Sequence, residues 1–277
     1  MDSSRPIGVF DSGLGGISVV RAIMDLLPAE NLIYFGDTAR VPYGSKSAET
    51  VIRFSRQIAH FLLERDIKLL VVACNTASAT ALATLRKELD IPVIGVIEPG
   101  AQASLKHTRN RRIGVIGTTS TIRSEAYSQN IHATDPRTLV LSQACPLLVP
   151  LVEEDWQQEE VIDPVLNHYL APFKDAGTDT LILGCTHYPY LKDAIQAVMG
   201  TNVALIDSGE ETARVVKDVL AESGRLYQGE QRGEKHHFYV SDFPQMFRET
   251  ASRFLGKPLE NLFQVELEVL EALIKPA

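Results

Sequence analysis

A series of short, unbroken apolar runs, each followed by a small-residue loop and then a helix-length amphipathic stretch, limits how this chain can fold. The runs are Ile7–Phe10, Leu32–Phe35, Leu69–Ala73, Val93–Ile97, Ile113–Ile116, Leu139–Leu141, Leu181–Leu183 and Val203–Ile206. A strand wet on one face alternates apolar and polar side chains, whereas a strand covered on both faces is apolar throughout. The runs therefore read as parallel strands, and Ala48–Arg65, Ala77–Leu89, Val161–Asp175 and Glu210–Ser223 as the helices that cover them. The expectation is an α/β protein with open parallel sheets.

The pattern also carries a coarse duplication. One early strand ends in Phe10-Asp11-Ser12-Gly13 and a later one in Cys74-Asn75-Thr76. Farther on, one ends in Gly117-Thr118-Thr119-Ser120-Thr121 and a later one in Cys185-Thr186-His187. Each half thus brings a hydroxyl-rich loop and a cysteine loop to strand C-termini, the edge at which open α/β sheets bind ligands. Two similar halves facing each other would set the two thiols across one crevice. Pro/Gly punctuation at Glu98-Pro99-Gly100 and a second Asp-Ser-Gly at Asp207-Ser208-Gly209 divide the chain. Residues 1–98 with 208–277 would carry Cys74, and residues 99–207 would carry Cys185.

Composition narrows the class. A chain of 277 residues, 45% hydrophobic and 22% charged, has the makeup of a folded globular protein and room for two compact domains. The net charge of -8 and the single short basic stretch Arg109–Arg112, read as solvated surface, argue against a nucleic-acid partner. No apolar run approaches the roughly 20 residues of a membrane span. The opening Met-Asp-Ser-Ser-Arg-Pro lacks the form of a signal peptide. Three scattered cysteines are too few for a disulfide framework, so free thiols in a reducing cytoplasm are expected.

The cysteine loops carry the chemistry. An apolar strand delivers Cys74 to a turn where a small-residue helix begins, and free N–H groups and the positive dipole end there favour a thiolate. Asn75 and Thr76 can bond helix-start amides or a ligand carboxylate. The segment Gly184-Cys185-Thr186-His187-Tyr188-Pro189 repeats that geometry. His187 adds an imidazole suited to proton transfer, and Pro189 can open the following helix. A metal site is disfavoured, because Cys185 and His187 lack any CxxC or HExxH partner spacing. Cys145, without a polar neighbour pattern, reads as structural.

The turn Asp11-Ser12-Gly13-Leu14-Gly15-Gly16 after the first strand, with Asp37 about twenty residues on, invites a dinucleotide reading. Ser18 stands where the third glycine should be, however, and Asp11 puts a carboxylate where a pyrophosphate would approach. Asp11 and Ser12 better suit an α-ammonium and a proton relay. The loop Gly36-Asp37-Thr38-Ala39-Arg40-Val41-Pro42-Tyr43-Gly44-Ser45 reads as a cover over a ligand, with Tyr43 and Ser45 as contacts. In the acidic cluster Glu153-Glu154-Asp155, Glu153 is a candidate to assist the second cysteine. The acidic, apolar stretch Val265–Leu273 reads as a covering helix or a dimer contact.

These motifs together resemble glutamate racemase, within the wider aspartate/glutamate racemase superfamily. The likeness rests on Asp11-Ser12-Gly13-Leu14-Gly15-Gly16, Gly36-Asp37-Thr38-Ala39-Arg40, Pro42-Tyr43-Gly44, Cys74-Asn75-Thr76, Cys185-Thr186-His187-Tyr188-Pro189 and Asp207-Ser208-Gly209. Val41, before Pro-Tyr-Gly, is a minor departure. The resemblance implies two similar α/β domains enclosing glutamate and a homodimer. It implies interconversion of L- and D-glutamate without pyridoxal phosphate or metal, supplying D-glutamate for peptidoglycan. It marks Cys74 and Cys185 as acid and base, with Asp11 beside the first, His187 beside the second, and Glu153 aiding the second side. Ser12, Tyr43, Gly44, Asn75, Thr76 and Thr186 match substrate-contacting positions, with Thr118 and Thr121 as further candidates.

Physical logic agrees: removing a proton from one face of Cα and returning it to the other needs two opposed groups, one thiolate and one thiol. Cys74 is expected to deprotonate D-glutamate and Cys185 L-glutamate. Competing readings are a racemase for aspartate, a cis–trans isomerase with one nucleophilic cysteine, and a non-catalytic amino-acid-binding protein.

Overall fold

Apolar side chains on both faces force a strand between two helical layers, and the strands of the computed structural model sit in that way. The structure describes residues 2–156, 160–229 and 236–274. Within these, the strands are β1 (Ile7–Asp11), β2 (Leu32–Gly36), β3 (Leu69–Val72), β4 (Val93–Gly95), β5 (Arg112–Gly117), β6 (Leu139–Ala144), β7 (Thr180–Gly184), β8 (Ala204–Asp207), β9 (His237–Val240) and β10 (Leu262–Gln264). One sheet has the order β10-β9-β2-β1-β3-β4, the other β6-β5-β7-β8, and every pairing is parallel. The chain is thus two parallel-sheet α/β domains. Every residue of β1, β2, β3 and β7 is buried, as their unbroken apolar sequences require.

Strands β9 and β10 fall outside the expected runs. Half-buried and buried positions alternate in β9, and β10 is an exposed edge, so neither carries a continuous apolar signal. The helix Ile17–Leu26 also stands outside the expected set. Glu98-Pro99-Gly100 forms the first turn of the helix Ile97–His107, which carries the chain from one sheet to the other. Proline is tolerated there because its missing N–H would have no helical partner. Arg86 fixes this turn through paired 2.7 Å bonds to Glu98. On the way back, the Asp207 carboxylate caps the helix Ser208–Glu222, accepting from the amides of Gly209 at 2.8 Å and Glu210 at 3.3 Å. That helix packs against both Ile17–Leu26 and Ile97–His107.

One buried apolar cluster joins the halves, running from Val9 and Val71 to Leu183 and Val216. Smaller clusters lie under the helix Ala48–Leu63 and around Ile113, Ile182 and Ile206. The C-terminal helix Leu267–Ala272 buries Leu270 against Ala48–Leu63, as a covering helix does. At the opposite edge of the first sheet, Lys68 is fully buried. Its ammonium donates to Glu30 at 2.5 Å and to the carbonyls of Ser3 and Arg225 at 2.7 and 2.9 Å, tying distant segments to the N-terminal end of β3.

Strand register places the site. Phe10 on β1 pairs with Val72 on β3, so the Asp11–Ser12 and Cys74 loops leave the first sheet side by side. Gly117 on β5 pairs with Gly184 on β7, so the Thr118 and Cys185 loops do the same in the second.

Candidate active site

The four loops converge on a cavity of about 440 Å³. Cys74 lines it from the first half and Cys185 from the second, at 6% and 5% exposure, so both thiols are withdrawn from bulk water. Ser12, Tyr43, Gly44, Asn75 and Thr76 line it on the Cys74 side. Thr118, Glu153, Thr186 and His187 line it on the other. Asp11 and Thr121 are buried behind this wall. Ser45 lines the cavity, but its hydroxyl donates to the Pro42 carbonyl.

Cys74 is the N-cap residue of the helix Asn75–Glu88. Its thiol donates to the Ser12 hydroxyl at 3.6 Å. The expected thiolate does not dominate here. Burial pushes the thiol up to about 12, and the Asp11 carboxylate adds to the effect. The Ala77 amide at the helix start and Ser12 pull the other way and are outweighed. Asp11 itself is raised, chiefly by burial, against a lowering by His187 and by the amides of Gly13, Gly16 and Ser12. Its Oδ2 accepts from the Gly13 amide at 3.0 Å, and its Oδ1 is buried without a partner among the described residues.

Cys185 stands in a different setting. His187 Nδ1 lies 3.8 Å from its sulfur, and Nε2 lies 2.9 Å from Glu153 Oε1. Burial pulls His187 down, but hydrogen bonds to Cys185 and Glu153, with the charges of both, raise it to about 10. Both ring nitrogens thus face acceptors, the Cys185 sulfur and the Glu153 carboxylate, an arrangement that suits a protonated ring. Glu153 ends the short helix Leu148–Glu153, whose Pro146–Pro150 approach supplies an apolar wall through Pro146, Val149 and Pro150. Those three wall residues were outside the expected site, although their apolar run ahead of an acidic cluster was readable.

The glycine-rich turn after β1 has a steric purpose. A Cβ on Gly15 would overlap Thr186 Oγ1 and come within 2.6 Å of His187. Glycine here lets the first domain's turn press against the Cys185 loop, and Ser18 locks the contact by donating to the Thr186 carbonyl at 2.8 Å. A phosphate-binding role for the turn has no support in this packing. The hydroxyls of Thr76, Thr118 and Thr121 form a cluster, with Thr76 to Thr118 at 3.2 Å and Thr118 to Thr121 at 3.0 Å.

Asp37 anchors the loop above the cavity. Its carboxylate accepts from Arg40 Nε at 2.9 and 2.7 Å, from the Ser241 hydroxyl at 2.9 Å, and from the Tyr43 hydroxyl. Tyr43, only 1% exposed, therefore offers the cavity its ring while its hydroxyl is committed beneath the loop. Gly44 faces Thr118, at ordinary contact distance for an added Cβ. Cys145 is fully buried outside the cavity, its thiol donating to the Gln143 carbonyl, which fits a structural role. Among the described residues the lining contains no Lys or Arg, so anionic groups of a ligand would meet hydroxyls, helix-start amides and the His187 ring.

Two buried thiols, on loops of different sheets, thus line one cavity. The sequence profile of the Asp/Glu/Hydantoin racemase family matches residues 7–216. The chain belongs to this family and is an amino-acid racemase, an isomerase. Among its relatives, the glutamate racemase of Geobacter metallireducens is 53% identical over 264 residues, 95% of this chain and 97% of that one. The crystal structure of a glutamate racemase isoform from Bacillus anthracis superimposes with a TM-score of 0.92 at 41% identity, covering 96% of this chain and 98% of that chain. The Francisella tularensis glutamate racemase in complex with D-glutamate gives 0.89 at 39%, covering 96% and 99%. Within its family the chain groups with the glutamate racemases.

Proposed function

We propose that this chain interconverts L- and D-glutamate by a two-base transfer between Cys74 and Cys185, with its own side chains supplying acid and base and no cofactor. The carrying observation is that the two buried thiols, on loops of different sheets, line one 440 Å³ cavity. Glutamate as substrate is supported by the relatives, one of which holds D-glutamate in its crystal structure. The division of the chain into residues 1–98 with 208–277 and residues 99–207 belongs to the same reading. So do the homodimer, a cytoplasmic setting and the supply of D-glutamate to peptidoglycan.

In the proposed reaction, L-glutamate lies with its Cα–H toward Cys185. The imidazolium of His187, braced by Glu153, complements a thiolate there, and that thiolate takes the proton. Cys74, held as a thiol, donates its own proton to the opposite face, and D-glutamate leaves. The D-to-L direction reverses the roles, with Asp11 and Ser12 serving the Cys74 side. The electron pair left at Cα is spread into the α-carboxylate, which hydrogen bonds from Asn75, Thr76 and Thr186 hold. Ser12, Tyr43 and Gly44 complete the substrate's enclosure. Excluding water strengthens each of these bonds.

The test is incubation with L-glutamate in D₂O with no added cofactor, followed by circular dichroism and Cα-proton NMR. The expected result is optical decay to zero with deuterium at Cα. Intact Cα–H with no decay would overturn the glutamate assignment. Aspartate tested in parallel would then show whether another amino acid is the substrate.

A further inference from the structure

Behind the cavity, one side chain touches both cysteine loops and lines neither. Tyr127, on the helix Ala126–Thr134 of the second half, is 2% exposed. Its ring packs on Gly184, the residue before Cys185, where an added Cβ would sit 3.1 Å from Cε2. It also packs on Gly100, at 3.3 Å by the same measure. Its hydroxyl donates to Oδ1 of Asn75, the residue after Cys74, at 2.7 Å. Asn75 lines the cavity at 3% exposure, and its Nδ2 is buried with no partner among the described residues.

An amide side chain has a donor end and an acceptor end of nearly the same shape, and a substrate carboxylate can use only the donor. The phenol proton needs an acceptor, and the Asn75 oxygen supplies it. The amide group is thereby held in one of its two orientations, with the –NH₂ left over. A buried amide donor without a partner is costly, so such a group calls for an acceptor that arrives later. We propose that Tyr127 is a positioning residue: it fixes the Asn75 amide with its donor end reserved for a carboxylate of the bound amino acid. It does so from the second half onto the first, so this donor is correctly set only when the halves are closed on each other. The inference rests on the assignment of Asn75 to the substrate made above.

Tyr127→Phe tests it, since the ring and its packing remain and only the hydroxyl is lost. We expect KM for glutamate to rise about tenfold, as for loss of one well-placed hydrogen bond, with kcat changed less than about twofold. Asn75→Ala should raise KM at least as much, and Tyr127→Phe added to Asn75→Ala should raise it no further. A thermal melt of each variant, and Tyr127→Leu as a packing control with a lowered melting temperature, separate positioning from folding.

An equal rise in KM from Tyr127→Phe in both backgrounds would overturn the inference, as would a fall in kcat alone or no change at all. If Asn75→Ala leaves KM untouched, the placement of Asn75 in the substrate site fails, and this inference with it. If Asn75→Ala raises KM while Tyr127→Phe does not, only the role of Tyr127 fails.

Discussion

Cys74 and Cys185 stand at equivalent strand ends in opposite electrostatic settings. Around Cys74 the near groups are a neutral hydroxyl and the buried Asp11 carboxylate, and the thiol is pushed up to about 12. Around Cys185 the near group is the His187 imidazolium, 3.8 Å away and backed by Glu153. The proposed two-base racemisation needs one thiol and one thiolate at any moment, and the two settings differ in the sense that such a division of roles would use. Under the proposed mechanism a symmetric reaction runs in an asymmetric site. Enantiomers have equal free energies in water, so kcat/KM must match in the two directions however the site is biased. The bias can appear only in kcat and KM separately, and in which enantiomer each half-site serves.

The largest expected effect comes from removing one thiol at a time. Cys74→Ala and Cys185→Ala should each lower racemisation by at least about 10³-fold, toward the upper end of what an acid or base contributes. The two variants should differ in residual exchange. In D₂O, Cys74→Ala should wash deuterium into L-glutamate without inversion, through Cys185, and Cys185→Ala should do so into D-glutamate. If both variants label the same enantiomer, the assignment of faces is wrong.

A step smaller, the supporting groups should prove unequal. His187→Gln removes the cation beside Cys185 and should lower kcat about 10²-fold. Ser12→Ala removes a neutral hydroxyl beside Cys74 and should cost about tenfold, near the worth of one hydrogen bond. Equal losses measured from steady-state kinetics would erase the contrast between the two sides.

How much of this could be read from the chain depends on how local each signal is. The strand runs and the two cysteine loops are local, and they appear where the apolar pattern puts them. The asymmetry is not local. His187 is two positions from Cys185, but Glu153, bonded to its Nε2, arrives from the helix Leu148–Glu153. The helix start at Cys74 was readable, while the burial that overrides it depends on loops from both sheets. Asp37 illustrates the same limit: its partner Ser241 is 204 positions away, on the segment after β9, a strand too mixed in character to be recognised. Asn75 was readable as a residue of the site, where it lines the cavity, and Tyr127, its partner from the other half, was not.

The Glu153–His187 bond sharpens the comparison through pH. His187 is charged up to about pH 10, so if its imidazolium is required, kcat should fall as pH rises through that value. Glu153→Gln removes the negative partner 2.9 Å from Nε2. The alkaline limb of the pH–rate profile should then move down by about one pH unit. That is the low end for loss of a nearby opposite charge, because the Glu153 side chain is 45% exposed and partly screened by water. Ser12 bonds Cys74 and not His187, so the corresponding limb of a Ser12→Ala profile should stay in place. A limb that does not move in Glu153→Gln would mean that Glu153 orients the ring without setting its charge.

The smallest effect is on stability, and it isolates the Cys74 side. The Cys74 thiol ionises near 9.0 when free in the unfolded chain but only near 12 when folded. A folded pKa above the unfolded one gives a stabilisation fully present below pH 9 and lost as pH rises through 12. The raised pKa of His187 acts with the same sign, from about 6.5 unfolded to about 10 folded. Wild-type melting temperature should therefore decline on the alkaline side, beginning near neutrality and steepening past pH 9. Cys74→Ala should melt with a shallower decline above pH 9, because its unfolded state has one thiol fewer to ionise. His187→Gln should flatten the portion between pH 6.5 and 10 instead. If Cys74→Ala leaves the slope above pH 9 unchanged, the thiol is ionised as readily in the folded site as in water, and the electrostatic contrast between the two cysteines falls with it.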